Sequence, residues 1–152
     1  MRVYKLIATG LGIGYLGPGG GTVAAVACCL SLYFTRTSAV TRLPVPAALF
    51  TLGLLVLGTV AAQRVEAAWG KDSYRVVVDE IAGMWLGMLF VPVTGVSLLA
   101  GLVLFRFFDI RKPLGIRKLE RLPGGIGVMM DDVLAGIYTN ALLQAGVYFH
   151  LF

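Results

Sequence analysis

Apolar and polar residues alternate along this 152-residue chain in blocks much longer than the period of one amphipathic helix. The first block boundary comes early. Gly10–Thr22, GLGIGYLGPGGGT, carries seven glycines and a proline, which weaken or stop helical propagation, so the segment cannot be one continuous helix. The run Thr22–Phe34 is apolar and helix-compatible, with Thr22 placed to act as its N-cap. A polar connection follows at Thr35–Pro46, then Ala47–Gln63, whose length and composition predict a membrane helix. Arg64–Glu80 is polar and mixed in charge.

Ile81–Phe108 is apolar for too long to be one ordinary span. As a single helix it would reach roughly 42 Å, against a hydrocarbon core of about 30 Å. Pro92–Gly95 offers a break in the middle and predicts a short helical hairpin whose arms are only marginally long enough to cross. Val133–Phe149 predicts a final apolar helix. The pattern as a whole reads as all-α: a polytopic integral membrane helical bundle with a glycine-rich N-terminal segment and a short helical hairpin, forming one domain over residues 1–152.

Composition supports that reading. The chain is 58% hydrophobic and 14% charged, with a mean hydropathy of +0.85, whereas a soluble domain carries about 25% charged residues. Twenty glycines suit close helix approach inside a bilayer. The basic start is followed by a short, glycine-broken apolar run, a poor signal peptide that is expected to stay in the protein. Contact with anionic headgroups accounts for the net charge of +5 without invoking nucleic acid. Cys28 and Cys29 are adjacent, lack metal or redox spacing and read as small apolar residues. His150 stands alone near the C-terminus, as an interfacial residue would.

Alternate crossings put the N-terminus, Arg64–Glu80 and Arg106–Asp132 on one side, with eleven of the thirteen Lys/Arg; only Arg36 and Arg42 fall on the other. Positive residues favour the cytoplasm, so that side is expected to face it. All eight acids fall on the same side. The densest charge is in Phe105–Asp132, FRFFDIRKPLGIRKLERLPGGIGVMMDD, with six Lys/Arg and four acids between apolar segments.

Asp79-Glu80, Asp109 and Asp131-Asp132 flank the hairpin and the last helix, and the predicted topology brings them to one face. Oxygen ligands without histidine or cysteine partners suit a hard divalent ion such as Mg²⁺. Arg106, Arg111 and Lys112 could hold a phosphate beside it, and phosphoryl transfer chiefly requires such positioning and electrostatic stabilisation. Helix capping could explain one acid in each pair, since both pairs are expected just ahead of a helix, but adjacent carboxylates repel unless a cation lies between them. Asp109 follows the end of the expected Val96–Phe108 helix, where the dipole disfavours an acid; a salt bridge to Arg106 or Lys112 is the competing explanation. Arg106 within LVLFRFF must snorkel or find a partner. Arg117, Lys118 and Arg121 read as a solvated or headgroup-facing surface. The glycines before Thr22 could present backbone N–H groups to a phosphate, which makes Thr22 a candidate phosphate-binding residue, although no Walker A lysine follows and close helix packing explains these glycines equally well. Gly124–Gly127 reads as a flexible lead into the last helix.

With these residues assembled, the chain resembles the phosphatidylglycerophosphatase A family. The motifs that carry the resemblance are ATGLGIGYLGPGGGT (Ala8–Thr22), VDEIAGMW (Val78–Trp85), FRFFDIRKPLGI (Phe105–Ile116) and GGIGVMMDDVLAG (Gly124–Gly136). The resemblance implies Mg²⁺-dependent removal of the terminal phosphate from phosphatidylglycerophosphate in the bilayer of the bacterial inner membrane. It implies that Asp79, Glu80, Asp109, Asp131 and Asp132 are the catalytic and metal-binding acids, with Arg106 and Lys112 beside them. The chain departs from the family pattern in having Gly115 where a second proline is common, and Ala24-Ala25 where Gly-Ser is common. Water attack and an aspartyl-phosphate route are both open, as is the oligomeric state. Two other classes use similar residues: a divalent-cation transporter or channel, and a CDP-alcohol phosphotransferase, whose compact DG-x₂-AR pattern is missing here.

Overall fold

The computed structural model describes residues 1–71 and 73–152, the side chain of Ala39 excepted; Asp72, one of the acids expected on the charged face, lies outside the described residues. Among the described residues the regular elements are helical. They are α1 (Arg2–Ala8), a 3-10 turn (Ile13–Leu16), α2 (Gly20–Thr35), α3 (Ala39–Arg42), α4 (Pro44–Trp69), α5 (Val78–Gly87), α6 (Gly95–Arg111), α7 (Ile116–Leu119) and α8 (Gly124–Tyr148). Two of them are long and apolar enough to cross a membrane: α4, with 26 residues and mean hydropathy 2.1, and α8, with 25 residues and mean hydropathy 1.3. Large apolar side chains such as Leu49, Val56 and Leu57 of α4 are exposed, as suits a helix whose outer face meets lipid.

The glycine-rich segment breaks the helix as expected. Leu11 has φ 59° and Gly12 φ 105°, a left-handed stretch between α1 and the 3-10 turn. Helix α2 starts two residues earlier than Thr22, with Gly19 as N-cap and no side-chain cap, so Thr22 is not the capping residue. Its Ala24 and Ala25 are fully buried. Polar Arg64 and Glu66 do not end α4, which runs six residues beyond Gln63 to Trp69. Charged residues are tolerated there because that last portion lies beyond the most apolar part of the helix, where long side chains reach water.

The hairpin is present as α5 and α6, joined through Pro92–Thr94. A Thr94/Ser97 capping box starts α6. Asn140 of α8 donates to the carbonyls of Gly87 (3.1 Å) and Leu89 (2.8 Å), satisfying backbone acceptors where α5 ends. Trp85 donates from Nε1 to Thr51 Oγ1 at 3.0 Å and its ring lies 4.5 Å from Phe50, which ties the hairpin to α4.

The largest difference from the sequence expectation lies in α8. It begins at Gly124 rather than Val133, so the GGIG run is its first turn and not a flexible lead. Packing explains why. Gly125 donates its N–H to Gln63 Oε1 at 2.9 Å, and a Cβ at Gly125 would overlap the Thr59 carbonyl of α4. Glycine lets α8 approach the α4 backbone directly, and the Gln63 side chain satisfies the first-turn amide that this approach buries.

Candidate active site

The five acids come from three helices. Asp79 and Glu80 sit in the first turn of α5, inside the helix rather than ahead of it, where the positive end of the helix dipole favours them. Asp131 and Asp132 lie two turns into α8 and are buried, so neither capping nor the dipole explains them. Asp109 lies in the last turn of α6 rather than beyond its end.

Small residues bring these helices together. A Cβ built at Gly83 would lie 2.7 Å from the carbonyl oxygen of Asp132, and one at Gly136 would lie 2.5 Å from that of Gly83. Gly83 is one helical turn beyond Asp79, and Gly136 is one turn beyond Asp132. The contact that lets the backbones of α5 and α8 touch therefore also sets their acids face to face. Asp79, Glu80 and Asp132 each offer a carboxylate oxygen within 4.8 Å of the others. The charges of Asp109 and Asp131 also act on Asp132.

Two cations reach the cluster. Arg106 pairs with Asp109 one turn along α6, which resolves the competing partners for Asp109 in favour of Arg106. Lys112, in a left-handed backbone conformation at φ 48° just past α6, places Nζ 2.6 Å from Asp131 and 2.5 Å from Glu120. Burial works against its charged form, but the hydrogen bonds to Asp131 and Glu120 outweigh it and hold the ammonium above the usual lysine range. Gly115, where the family pattern commonly has proline, has φ 90°, which a proline ring cannot adopt. Arg117, Lys118 and Arg121 are exposed, as expected of a surface-facing set.

Asp79 Oδ1, Glu80 Oε2, Asp131 Oδ1 and Arg106 Nε are buried with no partner among the described residues. Unpaired buried carboxylate oxygens are costly, and several together repel one another. The cluster is thus short of positive charge at the place where α5, α6 and α8 meet.

The glycine-rich segment brings the start of α2 to the acids. A Cβ at Gly21 would overlap Glu80 Oε1, so the first turn of α2 lies directly against that acid. Thr22 is exposed on the next residue. Two participants were not picked out from sequence. Glu120 is eight residues from Lys112 across a turn, with no periodic signal to link them. The Gly83–Gly136 contact had a signal, since each glycine is spaced one turn from a singled-out acid.

A membrane-length helical protein with clustered acids and paired cations has the features expected of a phosphatase, and comparison with known proteins agrees. The family model described as phosphatidylglycerophosphatase A matches residues 6–147. The chain belongs to that family and is a phosphatase, a hydrolase of phosphoric monoesters. It is 34% identical to phosphatidylglycerophosphatase A of Haemophilus influenzae, over 96% of this chain and 90% of that one. It is 30% identical to the Escherichia coli protein of the same name, over 92% of this chain and 81% of that one. It is 44% identical to a Bacteroides thetaiotaomicron protein provisionally named a phosphatidylinositol-3-phosphatase, over 91% of this chain and 89% of that one. No solved structure matches the chain.

Proposed function

We propose that this chain is a multi-pass, Mg²⁺-dependent phosphatase of the bacterial inner membrane, hydrolysing phosphatidylglycerophosphate to phosphatidylglycerol and inorganic phosphate at the cytoplasmic face. The observation that carries the reading is the meeting of Asp79, Glu80 and Asp132 within 4.8 Å, with buried oxygens left unpartnered, beside Arg106 and Lys112. An all-oxygen donor set suits Mg²⁺. Asp79, Glu80 and Asp132 would hold it, with Asp109 and Asp131 completing the acidic wall. When bound, Mg²⁺ supplies the positive charge this wall lacks and screens the substrate phosphate.

The chain's own groups divide the remaining work. Arg106 and Lys112 attract the phosphomonoester and oppose the charge that builds on its oxygens. Each has an acidic partner in place, Asp109 for Arg106 and Asp131 with Glu120 for Lys112, which limits the reorganisation needed when substrate arrives. Water adds to phosphorus, the bond to the glycerol oxygen breaks, and the proton released from water is taken up by a carboxylate of the acidic wall. The leaving alkoxide is protonated in turn, giving phosphatidylglycerol.

The test is phosphate release by purified protein from phosphatidylglycerophosphate, with and without Mg²⁺. Release abolished by chelation and restored by Mg²⁺ is expected; equal release in both, or metal flux into liposomes with no hydrolysis, would overturn the reading. The Bacteroides relative's name favours a second substrate, phosphatidylinositol 3-phosphate. It too is a lipid phosphomonoester, so the same assay on both lipids ranks them by kcat/KM. Capture of a phosphorylated carboxylate during turnover would replace water attack with an aspartyl-phosphate route.

A further inference from the structure

Helices α2 and α6 run antiparallel, and both end at the acidic cluster: α2 through its first turn against Glu80, α6 through Arg106 and Asp109. Farther along the same pair of helices lies an open cavity of about 250 Å³. Cys29, Leu30 and Tyr33 of α2 line one side; Leu98, Leu99 and Leu102 of α6 line the other. Its wall is almost wholly apolar and it opens outward, toward the surface where Leu30 and Leu99 are exposed.

The cavity is in register with the site. On α6, Leu98, Leu102, Arg106 and Asp109 follow one another at helical spacing, so a single face passes from the cavity to the arginine within one turn. On α2, Cys29 lies about 12 Å and Tyr33 about 18 Å from Gly21 along the helix axis. On α6, Leu102 and Leu98 lie about 6 Å and about 12 Å from Arg106 along the axis, so the acyl chains of a lipid whose terminal phosphate is held at Arg106 reach the groove. Cys29, small and buried, lines the groove on α2 and leaves it open where a bulkier side chain would close it.

We propose that this groove between α2 and α6 is a binding track for one acyl chain of the substrate lipid, leading its phosphomonoester to Arg106 and the acids. The inference rests on the lipid-phosphatase reading above. The chain leaves one apolar medium for another, so the groove adds little affinity; its effect is to orient the phosphate relative to the carboxylates. Long-chain substrates therefore gain in turnover from the groove, and substrates whose chains are too short to run its length do not.

Filling the groove tests this. Leu99→Trp and Leu30→Trp enlarge side chains at its exposed edge, away from the acids, and Val56→Trp on the outer face of α4 is the control. Expected is a drop of about tenfold in kcat/KM for dipalmitoyl phosphatidylglycerophosphate in the first two variants, with dihexanoyl substrate and the control unaffected. Unchanged long-chain turnover, or equal losses on both substrates, overturns the groove. Wild-type protein that releases phosphate from neither substrate overturns the phosphatase reading itself. A measurement independent of variant folding uses wild-type protein and a substrate carrying a diazirine midway along one chain. Labelling concentrated on Leu30–Tyr33 and Leu98–Leu102 is expected, and labelling no stronger there than around Val56 overturns the proposal.

Discussion

Gly83 is the position where a single added methyl group should do most damage to catalysis without altering any polar group. A Cβ there would lie 2.5 Å from the Phe105 ring and 2.7 Å from the Asp132 carbonyl oxygen. Normal carbon contacts lie near 3.5 Å, so α5 and α8 would have to separate by about 1 Å. Phe105 is fully buried and the second obstacle is helix backbone, so neither can swing aside. Overpacking of this kind costs roughly 1–3 kcal/mol. The same separation draws Asp79 and Glu80 away from Asp132, and a misplacement of about 1 Å can cost on the order of 100-fold in rate. Gly83→Ala should therefore lower both the thermal midpoint in detergent and kcat for lipid phosphate release. Gly53→Ala is the matched comparison, because a Cβ at Gly53 meets nothing within 4 Å; it should be neutral or stabilising by up to about 1 kcal/mol. Full activity in Gly83→Ala, or an equal loss in Gly53→Ala, would refute the claim that the α5–α8 crossing sets the acidic site.

Glu80→Gln and Asp132→Asn should each reduce phosphate release from the lipid by about 100-fold or more, while Arg117→Ala on the exposed surface stays within about twofold; phosphate release by each variant, measured across a Mg²⁺ titration, checks this. Trp85→Phe and Thr51→Val each remove one side of the 3.0 Å hydrogen bond between α5 and α4. Each should cost about 1 kcal/mol, and the double variant should cost less than the sum in a denaturation cycle. Lys112 is held above the usual lysine range, so the stability it contributes is fully present below the unfolded lysine pKa, about 10.4, and is lost only as pH rises through its higher folded value. Wild type should thus keep a higher thermal midpoint than Lys112→Met from pH 6 to pH 10; a difference that disappears by pH 8 would show that the ion pairs with Asp131 and Glu120 contribute nothing.

The sequence alone determined the helical class, the two long apolar segments, the hairpin break at Pro92–Gly95 and where acids cluster along the chain, because each depends on local composition or short spacing. Its errors fall where tertiary contact overrides local preference. Gly124–Gly127 looks like a loop until the α4 backbone arrives against it, and then glycine is what permits a helix there; with that shift, Asp131 and Asp132 move from a helix start to a helix interior. Thr22 looks like an N-cap, but Gly21 is needed against Glu80 and the helix starts sooner. The pairing of charges was also beyond local reading. Asp109 had two basic residues at equal spacing, and only the path of the chain after α6 sends Lys112 to Asp131 and Glu120 while Arg106 takes Asp109. The acids could be named from sequence because their type and position are one-dimensional facts. Which of them share a site is decided by two glycines, because only where two helices lack a Cβ can their backbones approach closely enough to set carboxylates within 4.8 Å of each other.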